Sequence, residues 1–190
     1  GLQVAYQLAR EMCALGFSIC SGMAMGIDGA AHKACVDHGG RTLAVLGTGI
    51  DIIYPRRHKQ LYEDIQHQGC IISEFWPDIG PFAGNFPKRN RIISGLSLGT
   101  LVVEACRKSG SLITARLAME QGREVFAVPG SILGGFHEGC HDLLRDGAKL
   151  VESAADIVEE LVSLTAFHLE EVNTRHHIQQ GEICDLPFSS

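Results

Sequence analysis

Phe86, Lys88, Arg89, Asn90 and Arg91 crowd five chemically capable side chains into the stretch FPKRNRIISG. An aromatic face can stack on a nucleobase, cations can meet phosphates, and an amide can read a base edge or cap a helix. The spacing predicts a helix from about Lys88 to Leu96, with cations in its first turn and Ile92, Ile93 and Leu96 buried on the opposite side. Cations at a helix N-terminus oppose the macrodipole. An anionic partner would offset that repulsion, and so would the acidic residues near the C-terminus.

Three other turns carry similar chemistry. SGMAMGID (21–28) leaves a strand and enters a helix, so Ser21 and Gly22 suit a turn whose backbone N–H groups approach an anion. It is neither G-x-G-x-x-G nor a Walker A loop, and a plain turn capped by Asp28 is the competing reading. Asp28 and His32 stand four apart on one helix face, as an acid–base pair or as a cap beside a structural hydrogen bond. LGTGIDIIYPRR (46–57) sets Arg56 and Arg57 after Pro55. RKSGSLITA (107–115) sets Ser109, Gly110 and Ser111 at a helix entry, another donor-rich turn. HEGCH (137–141) clusters His137, Cys140 and His141 without a fourth ligand, which favours a helix start over a metal site.

The elements that must position these turns alternate. Short apolar runs such as TLAVLG (42–47), CIISEF (70–75), TLVVEA (100–105) and EVFAVPG (124–130) are interleaved with helical patterns. That alternation predicts an α/β fold with a mostly parallel sheet buried on both faces by helices. Ligands then sit at the carboxyl ends of the strands, where the chain places Gly22, Gly47, Gly49, Gly110 and Gly130. Residues 1–164 read as one domain, and 165–190 as a linker or tail leading to something further on.

The net charge is −6, yet residues 151–190 hold eight acids against one base, Arg175. Between 80 and 116 six bases face one acid, Glu104. Mean charge argues against a nucleic-acid binder and local charge permits one. No run reaches the length of a membrane span, and no signal peptide is visible. Seven scattered cysteines without a CxxC pair read as buried thiols of a cytoplasmic protein.

In their order, SGMAMGIDGAAH, GGRTLAVLGTGIDIIYP, ISEFWP, NFPKRNRIISGLS, SGSLITARLAMEQGREVFAVPGS and GCHDLLRDGAKLV resemble the blocks of the DNA-processing protein A (DprA, or Smf) family, up to about Leu161. The resemblance implies an extended Rossmann-like domain with no required nucleotide cofactor and no catalysis. It implies single-stranded DNA binding by a homodimer that protects incoming DNA and helps load RecA, in natural transformation and recombination. The family's basic pocket maps onto Arg56, Phe86, Lys88, Arg89, Asn90 and Arg91, with the turns at Ser21–Gly22 and Ser109–Ser111 lining it. The family's usual first strand, ending in a G-S-R turn, is expected just before Gly1, and the flanking helical and winged-helix domains of many members are not expected within these 190 residues. Weaker DNA binding than in an intact protein is the expectation.

Two other classes compete. Nucleotide phosphoribohydrolases of the lysine-decarboxylase-like (LOG) type share the glycine-rich architecture. Their P-G-G-x-G-T hallmark and its acids are replaced here by RKSGSLITA, which leaves no carboxylate for the ribose. An adaptor without direct DNA contact is the third reading. It predicts that charge reversal in FPKRNR spares partner binding.

Overall fold

The computed structural model describes residues 1–162. Gly1–Ala154 form one compact unit, and a second begins at Ala155, of which residues up to 162 are described and are helical. The expected linker, 165–190, lies outside the described residues.

The first unit alternates as the sequence predicts: α1 (Leu2–Ala14), β1 (Ile19–Ser21), α2 (Ile27–Asp37), β2 (Thr42–Val45), α3 (Lys59–Gln68), β3 (Cys70–Ile72), α4 (Asn85–Leu96), β4 (Gly99–Val102), α5 (Ser111–Glu120), β5 (Glu124–Ala127), α6 (Glu138–Arg145) and β6 (Lys149–Leu150). Every strand pairing is parallel. Helix α1 buries Ala5, Leu8, Ala9 and Met12, the spacing of one helical stripe. Around the first three strands the core holds Met23, Ala44, Leu46, Tyr62 and Ile65. Around the last three it holds Val102, Ala105, Ala115, Ala118, Val125, Ala127, Cys140 and Leu143. Small alanines on α5 let that helix lie close on β4 and β5.

Several features differ from expectation. The strands form two three-stranded sheets, β1-β2-β3 and β4-β5-β6, rather than one. Only the middle strands β2 and β5 are mostly buried, while β1 and β4, each ending its sheet, are largely half-buried. The short exposed β6 has no apolar run to announce it. Helix α4 starts at Asn85, before the predicted Lys88, because Pro87 sits in the first turn, where the backbone has no N–H to satisfy within the helix. The cations therefore fall mainly in its second turn. Its buried residues are Arg89 and Ser94, whereas Leu96 is exposed. Helix α4 packs on β1 and β2 and also on α5.

The cysteines are more exposed than the buried-thiol reading held. Of those described, Cys35 and Cys140 are buried, Cys13 and Cys20 half-buried, and Cys70 and Cys106 exposed. No helix among the described residues is long and apolar enough to cross a membrane.

Candidate nucleic-acid interface

The turn between β1 and α2 is held from inside. Asp28 reaches back, and its Oδ2 accepts from the N–H groups of Gly22 and Ala24, each at 3.1 Å. Those donors are therefore engaged by a carboxylate, which is the plain-turn geometry. Met23 takes a left-handed φ of 61° with its side chain in the core. A non-glycine residue there stores on the order of 1–3 kcal/mol of strain, which the surrounding bonds must hold.

Arg89 is the centre of the cluster. It is 4% exposed. Its Nη1 donates to the carbonyl oxygen of Gly22 at 2.7 Å and also to that of Val45, and its Nε donates to Asn90 Oδ1 at 3.3 Å. Burial draws its pKa down from the usual arginine range, while the charges of Asp28 and Cys20 oppose that shift. Guanidinium stays protonated under such conditions. The result is a fixed cation that joins α4 to the ends of β1 and β2. The space it occupies exists because residue 22 is glycine: a β-carbon there would stand 2.6 Å from Arg89 Cζ.

One helical turn earlier, Phe86 lies over Gly47, where an added β-carbon would approach its ring to 2.5 Å. Tyr54 joins it, with ring centroids 5.7 Å apart and planes at 37°. Arg89 Cζ is 6.0 Å from the Phe86 centroid, at the outer limit of a cation–π contact. Tyr54 leads into Pro55 and a single 3-10 turn, Arg56–His58. His58 docks that turn by donating from Nδ1 to the Met23 carbonyl at 3.0 Å.

The exposed cations differ in availability. Lys88, Arg56 and Arg57 are exposed and enter none of the ion pairs among the described residues. Arg91 is paired with Glu74. Thus α4, the 3-10 turn and Tyr54 just before it carry an aromatic pair and three exposed cations, with buried Arg89 beside Phe86.

Ser109, Gly110 and Ser111 form the turn that opens α5, a helix that packs on α4. They follow β4, with Ser109 Oγ and Ser111 Oγ 2.8 Å apart and local backbone bonds from Leu112 and Ile113. Arg107 beside them is committed to Asp142 at 2.9 Å. No hydrogen bond or ion pair among the described residues joins this turn to α4.

The Asp28–His32 pair divides its labour. Asp28 holds the turn. His32 is fully buried, 2.6 Å from Thr42 Oγ1, and that hydroxyl donates onward to Ile19 O at 2.8 Å. Thr42 therefore accepts from Nδ1–H, which fixes the tautomer. Burial drives the His32 pKa down to about 4, with Asp28 pulling the other way. In HEGCH the two histidine rings stack at 6.5 Å, Cys140 is buried, and no group of three or more metal-ligating side chains is found among the described residues.

Sequence reasoning missed two contributors. Tyr54 lies inside the quoted YPRR block and Glu74 inside ISEF. Only the aromatic character of Tyr54 was a usable signal.

Parallel strands crossed by helices, with their turns gathered at the strand ends, define a Rossmann-like α/β protein. The chain belongs to the DNA recombination-mediator protein A family, whose pattern it matches over residues 1–162. It is 52% identical over 142 residues to the DNA processing protein DprA of Streptococcus pneumoniae, covering 75% of this chain and 50% of that one. It is 55% identical over 147 residues to Protein Smf of Escherichia coli, covering 77% and 39%. The chain thus spans about half or less of the length of these curated relatives. The solved structure of DprA from Streptococcus pneumoniae superposes with a TM-score of 0.78 at 45% identity, covering 84% of this chain and 56% of that one. DNA processing protein A from Helicobacter pylori, described for its single-stranded DNA binding mode, gives 0.76 at 31%, covering 85% and 74%. A molybdenum cofactor binding protein from Rippkaea orientalis gives 0.57 at 18% identity, covering 86% and 87%, and shares the fold alone.

Proposed function

We propose that this chain is a single-stranded DNA-binding module of the cytoplasm that acts by binding rather than by turning over a substrate. In the whole protein it protects incoming DNA and helps load RecA during natural transformation and recombination, as a homodimer. The observation that carries the reading is the Phe86–Tyr54 ring pair, with buried Arg89 6.0 Å from Phe86 and the exposed cations Lys88 and Arg56 each two residues further along the chain from one of the rings. Aromatic faces stack on bases of any identity, and cations track the phosphates. Such a site takes strands whose bases are unpaired, because a duplex hides its base faces. The family match and the DNA-binding description of the Helicobacter pylori relative support the same assignment.

Arg56, Phe86 and Lys88 contact the strand directly in this reading. Asn90 and Arg89 organise the floor, Ser21 and Gly22 frame it, and Arg91 joins when Glu74 releases it. Ser109, Gly110 and Ser111, at the start of α5, line the path of the same strand. The test is fluorescence anisotropy of labelled oligo-dT across a salt series, with a duplex of equal length as competitor. Salt-sensitive binding that the duplex fails to displace is expected. Absence of oligo-dT binding at low salt would overturn the assignment.

A further inference from the structure

The thiols of Cys13, on α1, and Cys35, on α2, lie with their sulfur atoms 3.0 Å apart. We propose that they form a modification site: an oxidisable dithiol that reduces a hydroperoxide and in doing so ties α1 to α2 by a reversible disulfide. A disulfide bond is about 2.05 Å long, so closure needs roughly 1 Å of further approach between side chains already in contact.

The two sulfurs are not equivalent, and the difference assigns their roles. Cys35 is fully buried, donates to Ala31 O at 3.3 Å, and burial pushes its thiol well above the ordinary range. Cys13 is half-buried and lines an open hollow of about 450 Å³ with Arg10, Glu11, His38 and Gly40. A small oxidant reaches Cys13 first, and Cys35 waits behind it. Gly40 makes room for the pair: a β-carbon there would stand 2.5 Å from Cys13 Sγ and 3.5 Å from Cys35 Cα. Its N–H donates to Cys35 O at 2.8 Å, which holds that backbone against both thiols. No other thiol–thiol contact occurs among the described residues.

The chemistry balances. The Cys13 thiolate attacks one oxygen of the hydroperoxide and breaks the O–O bond. The alkoxide, or hydroxide, leaves with the thiol's proton, and Cys13 becomes a sulfenic acid. Cys35 sulfur then attacks Cys13 sulfur and breaks the S–O bond. Hydroxide leaves with the Cys35 proton as water, and the disulfide remains. Two thiols have lost two electrons to one hydroperoxide. A dithiol reductant reverses the bond by exchange.

The test treats the full chain with hydrogen peroxide, alkylates the remaining thiols, and maps the peptides by mass spectrometry without reduction. A Cys13–Cys35 linked peptide, lost on treatment with dithiothreitol, is expected, together with a raised thermal midpoint of the oxidised chain. In Cys35→Ser, Cys13 should instead stop at a sulfenic acid that a dimedone probe captures. Gly40→Ala crowds Cys13 and should slow the linkage without preventing folding, which circular dichroism checks. The proposal fails if Cys13 and Cys35 remain alkylatable at peroxide levels that oxidise exposed Cys70 and Cys106, or if Cys13 links to a different cysteine.

Discussion

The guanidinium of Arg89 fills the space that a β-carbon on residue 22 would take, and it bonds the carbonyl oxygen of that same Gly22. The most basic-looking motif in the chain therefore turns its central arginine inward. Charge in FPKRNR is divided between a structural cation and surface ones.

That division predicts opposite phenotypes along one helix. Arg89→Met leaves the Gly22 and Val45 carbonyls without their donor, and a buried charged hydrogen-bond set lost this way costs on the order of 3 kcal/mol. Urea unfolding should show a lower midpoint at an unchanged slope. A midpoint equal to that of the parent would mean that Arg89 is not holding α4 to the first sheet.

Lys88→Ala and Arg56→Ala should leave stability within about 0.5 kcal/mol of the parent. Each should flatten the plot of log binding constant against log salt by about 0.7 if one phosphate contact is lost. Glu74→Gln should act the other way, releasing Arg91 for the strand and steepening the plot. Anisotropy titrations of oligo-dT at several salt concentrations decide this. Parallel lines for all three variants would remove these side chains from the interface.

Phe86→Leu should weaken oligo-dT binding by about 1–3 kcal/mol at an unchanged salt slope, because stacking rather than charge is lost. An abasic strand of the same length separates the two contributions. It should bind parent and Phe86→Leu equally. Gly47→Ala should reproduce the Phe86→Leu loss by lifting the ring, and discrimination between the two strands that survives both changes would count against stacking on Phe86.

His32 makes stability depend on pH. Its folded pKa, about 4, lies below the roughly 6.5 of an unfolded histidine. Above pH 6.5 both states are neutral, and the group adds no pH dependence. Between 6.5 and 4 the unfolded chain takes up a proton that the folded chain refuses, so stability falls as pH falls, by on the order of 3 kcal/mol in total. Urea midpoints from pH 7 to pH 4 should decline more steeply for the parent than for His32→Asn, whose amide can still donate to Thr42. Equal declines would show that His32 is already protonated in the folded chain or that other groups dominate.

Much of this was readable in advance from periodicity. Continuous apolar runs marked β2, β4 and β5, and glycine-bounded helical patterns marked α2, α3 and α5. The exposure of Lys88 and Arg56 also followed from residue type. The fate of Arg89 did not. Composition treats Lys88, Arg89 and Arg91 alike. Which of them faces inward depends on two carbonyls and a missing β-carbon contributed by residues more than forty positions away. Glu74 was invisible for the same reason, since an ion pair across a loop has no local pattern. The split into two sheets was equally unreadable, because an apolar strand looks the same whether or not a neighbour pairs with it.

Helix α4 touches both halves of the α/β unit. Arg89 bonds it to the first sheet, while Gln121 donates to the Arg91 carbonyl at 3.1 Å and Arg123 to that of Gly95 at 3.2 Å from the second half. The helix is thus a clasp across a seam that no backbone ladder closes. Whatever grips α4 also tightens the seam, by thermodynamic linkage. An occupied interface should therefore slow amide exchange in β1 and β4, and the protein's cohesion becomes a gauge of its own occupancy.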